Sequence, residues 1–424
     1  MKIYVLCFLM LNVLHIAALA QVTWPTYEFE IKAGSQVRNN VPICIRLPTV
    51  SLNAQPKSVV VTDSSGQRIT AQLTHPGLHA PSDCWREVHF ILPTLNAGAT
   101  RSYKATLSDS AAAETSGAQF AWHDQSGMFT VLQFGNRPVL RYHYETYDQS
   151  SKESQERTYK VFHHLFSPSG DRIVTNGLSP EPNIHSPHHR GIFYGFNRIR
   201  YGENKPADTW HCFFDGSYQE HAGFIASESG PVIGRHRVRI NWHGSDQTKF
   251  ATEERELTAY QVPGGQLIEF ASRLSTTGGR VIIDGDPQHA GFQFRAHNDV
   301  DIHTKHETIF VRPDGVGKPG ETLNWDPATR RGPVNLPWNA MSFVLDGKRY
   351  TTAYLDHPEN PKEARFSERD YGRFGSYFEF SITVDRPLKV NYRLWLQEGL
   401  IKQEEVAALS QNFVDPVTAT VRSK

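Results

Sequence analysis

The chain has 424 residues, and its 44 Lys and Arg are balanced by 44 Asp and Glu, so it lacks the global field that draws a protein onto nucleic acid or an anionic membrane. Beyond residue 20 no stretch approaches the roughly 20 uninterrupted apolar residues of a spanning helix. These features exclude a nucleic-acid partner and a membrane span as expectations, and favour a neutral or locally recognised ligand.

Residues 1–20 read as a cleavable signal peptide. Lys2 gives a short positive start, an apolar run follows from Ile3, and Ala18-Leu19-Ala20 forms the small-residue site before Gln21. A periplasmic or extracellular protein is expected. The remaining cysteines are Cys44, Cys84 and Cys212; in an oxidising compartment Cys44 and Cys84 could pair within one domain.

From Tyr27 to Leu396 most segments alternate apolar and polar residues and are punctuated by Gly, Pro, Asn or Asp, the period of strands. Residues 21–108 hold enough short strands for a small immunoglobulin-like sandwich. Ser108 to Gly117 is small, polar and aperiodic, which reads as a linker. Residues 117–400 then run strand upon strand without another break, which predicts one large antiparallel β-sandwich of supersandwich type. The fold class expected is therefore all-β. In residues 401–424 Val406, Leu409 and Phe413 fall on one helical stripe, which predicts a C-terminal helix and tail.

Histidine carries the chemistry, with 20 in the chain. The densest run is His185-Ser186-Pro187-His188-His189-Arg190, between a turn-rich stretch and a strand-like run from Ile192. On a strand His188 and His189 would face opposite ways, so at most one of them would share a site with His185 unless the segment is irregular. A second group lies in Asp284 to His297, where Phe292, Phe294 and Ala296 make one face and Gln293, Arg295 and His297 the other. A third ends a strand at Tyr354-Leu355-Asp356-His357, and Trp210-His211 adds a histidine beside an aromatic. Trp and Tyr faces accept the C–H groups of sugar rings while His, Arg and Gln answer the hydroxyls, so a cleft of these residues suits a carbohydrate.

Elimination at a uronic or keto sugar needs a cation for the carboxylate, a base for the α-proton and an acid for the leaving oxygen. Arg190 and Arg295 suit the first task. His188, His189, His289 or His297 suit the second, and a histidine or Tyr354 the third. His185, Trp210, His211, Gln293, Asp356 and His357 are expected to bind substrate. Hydrolysis is the alternative within the same class, although no carboxylate pair of a conventional glycosidase stands out. A divalent ion, zinc or calcium, held by His185, His189 and His211 would replace arginine as charge stabiliser. Two other readings are a non-catalytic glycan-binding protein of an uptake system and a mutarotase-like epimerase.

Phe162-His163-His164-Leu165-Phe166-Ser167-Pro168, then His185 to Gly191 and Trp210, and finally Asp356-His357-Pro358-Glu359-Asn360-Pro361 and Asn391-Tyr392-Arg393-Leu394-Trp395, stand in an order that resembles the PmoA-like family of secreted bacterial proteins. The resemblance implies an all-β fold and a setting in polysaccharide utilisation. The histidine-rich run from His289 to His297 departs from the family's pattern.

Overall fold

The computed structural model describes residues 24–48, 55–110, 117–178, 188–212 and 215–423. The signal peptide expected at residues 1–20, the middle of the expected linker and His185 lie outside the described residues.

Alternation along the first strands builds a small sandwich. In Thr26–Lys32 the side chains of Tyr27, Phe29 and Ile31 are buried while Glu28 and Glu30 are partly exposed. Phe29 stacks on Tyr103 with centroids 5.6 Å apart. A five-stranded sheet and a three-stranded sheet close over this core. The outermost strand of the larger sheet is Thr418–Ser423, antiparallel to Thr26–Lys32. The expected tail is thus a strand of the first domain, and Val417, Ala419 and Val421 alternate onto its core. The helix before it, Gln403–Val414, buries Val406 and Phe413 as its stripe predicts.

The rest of the chain is all-β as well. Two nine-stranded antiparallel sheets face each other, with a smaller four-stranded sheet alongside. One nine-stranded sheet contains, as neighbours, Arg365–Arg369, Arg373–Tyr377, Ala290–Arg295, Ile192–Phe196, Phe162–Leu165 and Arg137–His143. Its inner face supplies Tyr194, Phe292, Phe294 and Phe374; the opposing sheet supplies Phe270, Tyr354 and Tyr392. Phe270 and Phe292 meet at 4.3 Å and Phe292 and Tyr392 at 4.7 Å. Each such side chain contributes about 1.5–3 kcal/mol on burial.

The three-stranded sheet of the small sandwich turns its outer face to the large one. Arg235 Nη1 lies 3.0 Å from Glu87 Oε2, and Gln72 Oε1 accepts from the backbone of Val232 and Ile233 at 3.0 and 2.9 Å. A recess of about 420 Å³ remains between the two. Cys44 and Cys84 are free thiols. Cys44 pairs in register with His89 and Cys84 with Pro48, so about four residues of strand, roughly 13 Å, separate them along the ladder and the expected disulfide is sterically impossible.

Candidate functional site: a histidine and arginine centre

The Ala290–Arg295 strand sets the floor. As its alternation predicts, Phe292 and Phe294 enter the core, which turns Gln293 and Arg295 to the other face. That face is not solvated: Gln293 and Arg295 are buried, as is Arg373 on the neighbouring strand. Arg373 donates to Gln293 Oε1, to Ser367 Oγ and to Tyr371 Oη, each at 3.0 Å. Arg295 lies 4.9 Å from the Tyr371 ring and 3.5 Å from the Asp301 carboxylate. Its Nε makes no hydrogen bond.

Loops from distant parts of the chain roof this floor. His188 and His189 precede the Ile192–Phe196 strand in irregular backbone, the exception under which strand alternation does not part their side chains. Their rings lie 4.3 Å apart. Gly191 makes the turn into the strand at φ +53°, where a Cβ would come within 2.0 Å of the His163 carbonyl oxygen; only glycine fits there. His211 follows at 4.7 Å from His188, and His289 at 4.7 Å from His211. Four imidazoles thus run edge to edge. Trp210 lies 5.7 Å from His189 and under the Arg373 guanidinium, and Tyr371 stacks parallel to His189 at 6.1 Å.

Two of the four histidines are held by carboxylates in the same local way. Asp208 Oδ1 accepts from the backbone of Trp210 and His211, while Oδ2 lies 2.6 Å from His211 Nδ1. Asp286 Oδ1 accepts from the backbone of Gln288 and lies 2.8 Å from His289 Nδ1. A carboxylate only accepts, so Nδ1 carries the proton and Nε2 is the basic nitrogen of each neutral ring. Burial would raise the Asp286 carboxyl, but the bonds from His289, Gln288 and Asn197 hold it well below the usual range.

Burial dominates the remaining electrostatics. His188 is pushed down to about 2 by burial and then by Lys160, His211, His289 and Arg373. His189 is lowered strongly by burial and then by His188 and the two arginines, and neither of its ring nitrogens makes a hydrogen bond. Both rings are neutral at physiological pH. Arg295 is lowered to about 10 by burial, with Tyr371 and Asp301 opposing. Lys160 is lowered to about 8 by burial and ties two loops together, donating to the carbonyls of His188 and Trp210.

The structure gathers His188, His189, Trp210, His211, His289, Gln293 and Arg295 and places the other expected residues elsewhere. Tyr354 lies in the core of the opposing sheet, with Oη 2.9 Å from Ser376 Oγ; as part of the inner apolar layer it has no access to the cluster. Asp356 is buried against Asn360 and Lys362. His357 lines the interdomain recess beside Phe413. Neither is a ligand for substrate at the cluster. Arg190 is buried over the Tyr159 ring at 4.2 Å and donates to the carbonyls of Glu156 and Arg157 at the end of the Lys152–Thr158 helix, so it braces the wall and does not face a reacting group. His297 stands beside Asp299 at 3.3 Å, near His164. As for the expected metal set, His185 is outside the described residues. His189 and His211 belong to no group of three donors within 4.8 Å of one another, and among the described residues Cys44, Glu87 and His89 form the only such group.

Five residues of the centre escaped sequence reasoning: Lys160, Asp208, Asp286, Tyr371 and Arg373. The two aspartates had a signal. Asp208-Thr209-Trp210-His211 and Asp286-Pro287-Gln288-His289 repeat the spacing Asp-x-x-His, in which the aspartate closes a turn through a backbone N–H and orients the histidine. Arg373 and Tyr371 meet the cluster only through strand pairing, which no local pattern encodes.

The fold and this centre together define a class: an all-β protein of two sandwiches with a buried histidine and arginine cluster on the outer face of the larger one. The chain belongs to the family of unknown function DUF6807, whose family model matches residues 130–411. That span includes every residue of the cluster. The match corrects the resemblance to the PmoA-like family: the family shown is one of unknown function, and it lends no support to a setting in polysaccharide utilisation. No curated protein matches the chain. No helix among the described residues is long and apolar enough to cross a membrane.

Proposed function

We propose that the protein is an exported enzyme acting on acidic oligosaccharides, and that it cleaves them by β-elimination at a uronic acid residue. The observation that carries this reading is the pairing of buried guanidinium groups with carboxylate-backed imidazoles in one cluster. Arg295 spends Nη1 on the carbonyls of Ala296 and Tyr371 and stands 3.5 Å from Asp301, but its Nε and Nη2 make no hydrogen bond; those two groups suit a substrate carboxylate, and a bound carboxylate makes the adjacent C–H more acidic. Of the pair His211 and His289, one ring takes that proton at Nε2 and the other, protonated, supplies the leaving oxygen. The C–H and C–O bonds break, a C=C bond forms, and the proton count is conserved. His188 and His189, held neutral, offer nitrogen to hydroxyl groups, and Trp210 and Tyr371 offer ring faces.

A glycan-binding protein has no use for a histidine poised against an aspartate, and here two are, at 2.6 and 2.8 Å. The test is incubation of the purified protein with a panel of uronate-containing oligosaccharides, with and without chelator. New ultraviolet absorbance from unsaturated ends supports elimination; reducing ends without absorbance mean hydrolysis; binding without product means a lectin-like role. Export is checked by whether the cleaved N-terminus of the protein recovered outside the cytoplasm is Gln21.

A further inference from the structure

The recess between the two sandwiches has a chemistry of its own. On the outer face of the small sandwich, Cys44 stands directly opposite His89 across the ladder, and Glu87 is its diagonal neighbour, two residues before His89. One donor atom from each of the three lies within 4.8 Å of the others. Tetrahedral zinc, with bonds of about 2.0–2.3 Å, places its ligands roughly 3.3–3.8 Å apart, so small side-chain rotations close the set. All three residues line the recess.

We propose that Cys44, Glu87 and His89 bind a divalent transition metal of zinc type, with the fourth position open to the recess. A thiolate, an imidazole and a carboxylate are the donor mixture such an ion selects. His89 is buried, with Nε2 3.3 Å from Glu87 Oε2 and Nδ1 making no hydrogen bond; an ion taken at Nδ1 would satisfy that nitrogen. The surroundings are already arranged as an outer shell. Glu87 Oε2 is held by Arg235 at 3.0 Å, Arg235 also donates to Thr74 at 2.9 Å, and Thr74 Oγ1 lies 3.1 Å from His89 Nε2. Glu228 and Glu256, each 4.0 Å from Arg235, offset its charge. Cys44 is exposed and lines the recess, so an ion can enter. On binding, the Cys44 S–H bond breaks, the sulfur–metal bond forms and the proton leaves to solvent.

The test is titration of the chelator-treated full chain with Co²⁺, read by absorption. The expected result is one equivalent bound, with tetrahedral cobalt bands and a thiolate-to-cobalt band in the near ultraviolet. C44S abolishes the thiolate band, and H89Q weakens binding at least tenfold. Both variants are compared at equal circular dichroism, so that a folding defect is not read as lost binding. H211A and H289A, in the other centre, keep the full spectrum, which separates this site from the proposed catalytic one. An octahedral spectrum without a thiolate band, a band that survives in C44S, or no cobalt bound by the folded wild-type chain overturns the proposal.

Discussion

His211 and His289 lie 4.7 Å apart, ring to ring, each with Nδ1 bonded to an aspartate three residues before it. The two come from separate loops, so the same local device is used twice and the two basic nitrogens share one space. H211A and H289A are each expected to lower turnover by about two to four orders of magnitude, the range for losing a general acid or base. D208N and D286N keep the rings but weaken their orientation, and are expected to fall between the alanine variants and wild type. Initial rates on a cleaved oligosaccharide decide this; full activity in both alanine variants removes the pair from the reaction.

Arg295 is assigned to the substrate carboxylate. R295K keeps the charge but loses the planar fork, and the loss of a hydrogen bond to a charged group is about 1.5–3 kcal/mol, so KM rises roughly tenfold to a hundredfold. A carboxyl-reduced substrate meets the same loss with the wild-type protein intact. If reduced and native substrates are cleaved with equal kcat/KM, the carboxylate is not recognised.

Arg190 and Tyr354 are expected to matter for stability and not for chemistry. R190A leaves the carbonyls of Glu156 and Arg157 without their donor and is expected to cost about 3 kcal/mol in urea unfolding. Y354F loses the bond to Ser376, costs about 1 kcal/mol and leaves the rate unchanged. A large fall in kcat for Y354F at wild-type stability contradicts its place in the core.

Acid should loosen this protein early. His188 is held at about 2 and His236 at about 3, chiefly by burial, whereas an unfolded imidazole titrates near 6.5. The unfolded chain therefore binds protons that the folded chain refuses. Stability is full above pH 6.5 and falls as pH drops below it, by about 2 kcal/mol per such histidine at pH 5. Glu87, lowered to about 2 by its bonds to His89 and Arg235 against the effect of burial, adds a further loss below about pH 4.5. Urea midpoints between pH 7.5 and 5 measure the slope; a flat profile means the rings are hydrated in solution.

The sheets were legible because alternation is local: Phe292, Phe294 and Ala296 declared one face of their strand and Gln293, Arg295 and His297 the other before any fold was known. Burial of that second face is not legible, since it depends on the segments 188–190 and 370–372, which lie between strands, folding over it. The same limit explains Tyr354. Its position ends a strand near Asp356 and His357, and sequence alone does not tell which face of which sheet it meets. His188 and His189 share the cluster because Gly191 turns the chain, which takes them out of the strand period.

Because the strand Thr418–Ser423 lies against Thr26–Lys32, the small sandwich is finished only after the whole large sandwich has been synthesised. Domains of a nascent chain ordinarily fold in order of synthesis, but here an open edge at Thr26–Lys32 waits for the strand Thr418–Ser423. Until it arrives that edge is a template for other strands. A premature stop that spares the whole large sandwich but removes Thr418–Ser423 would still leave the small sandwich incomplete, so segments 26–32 and 418–423 are under a common constraint.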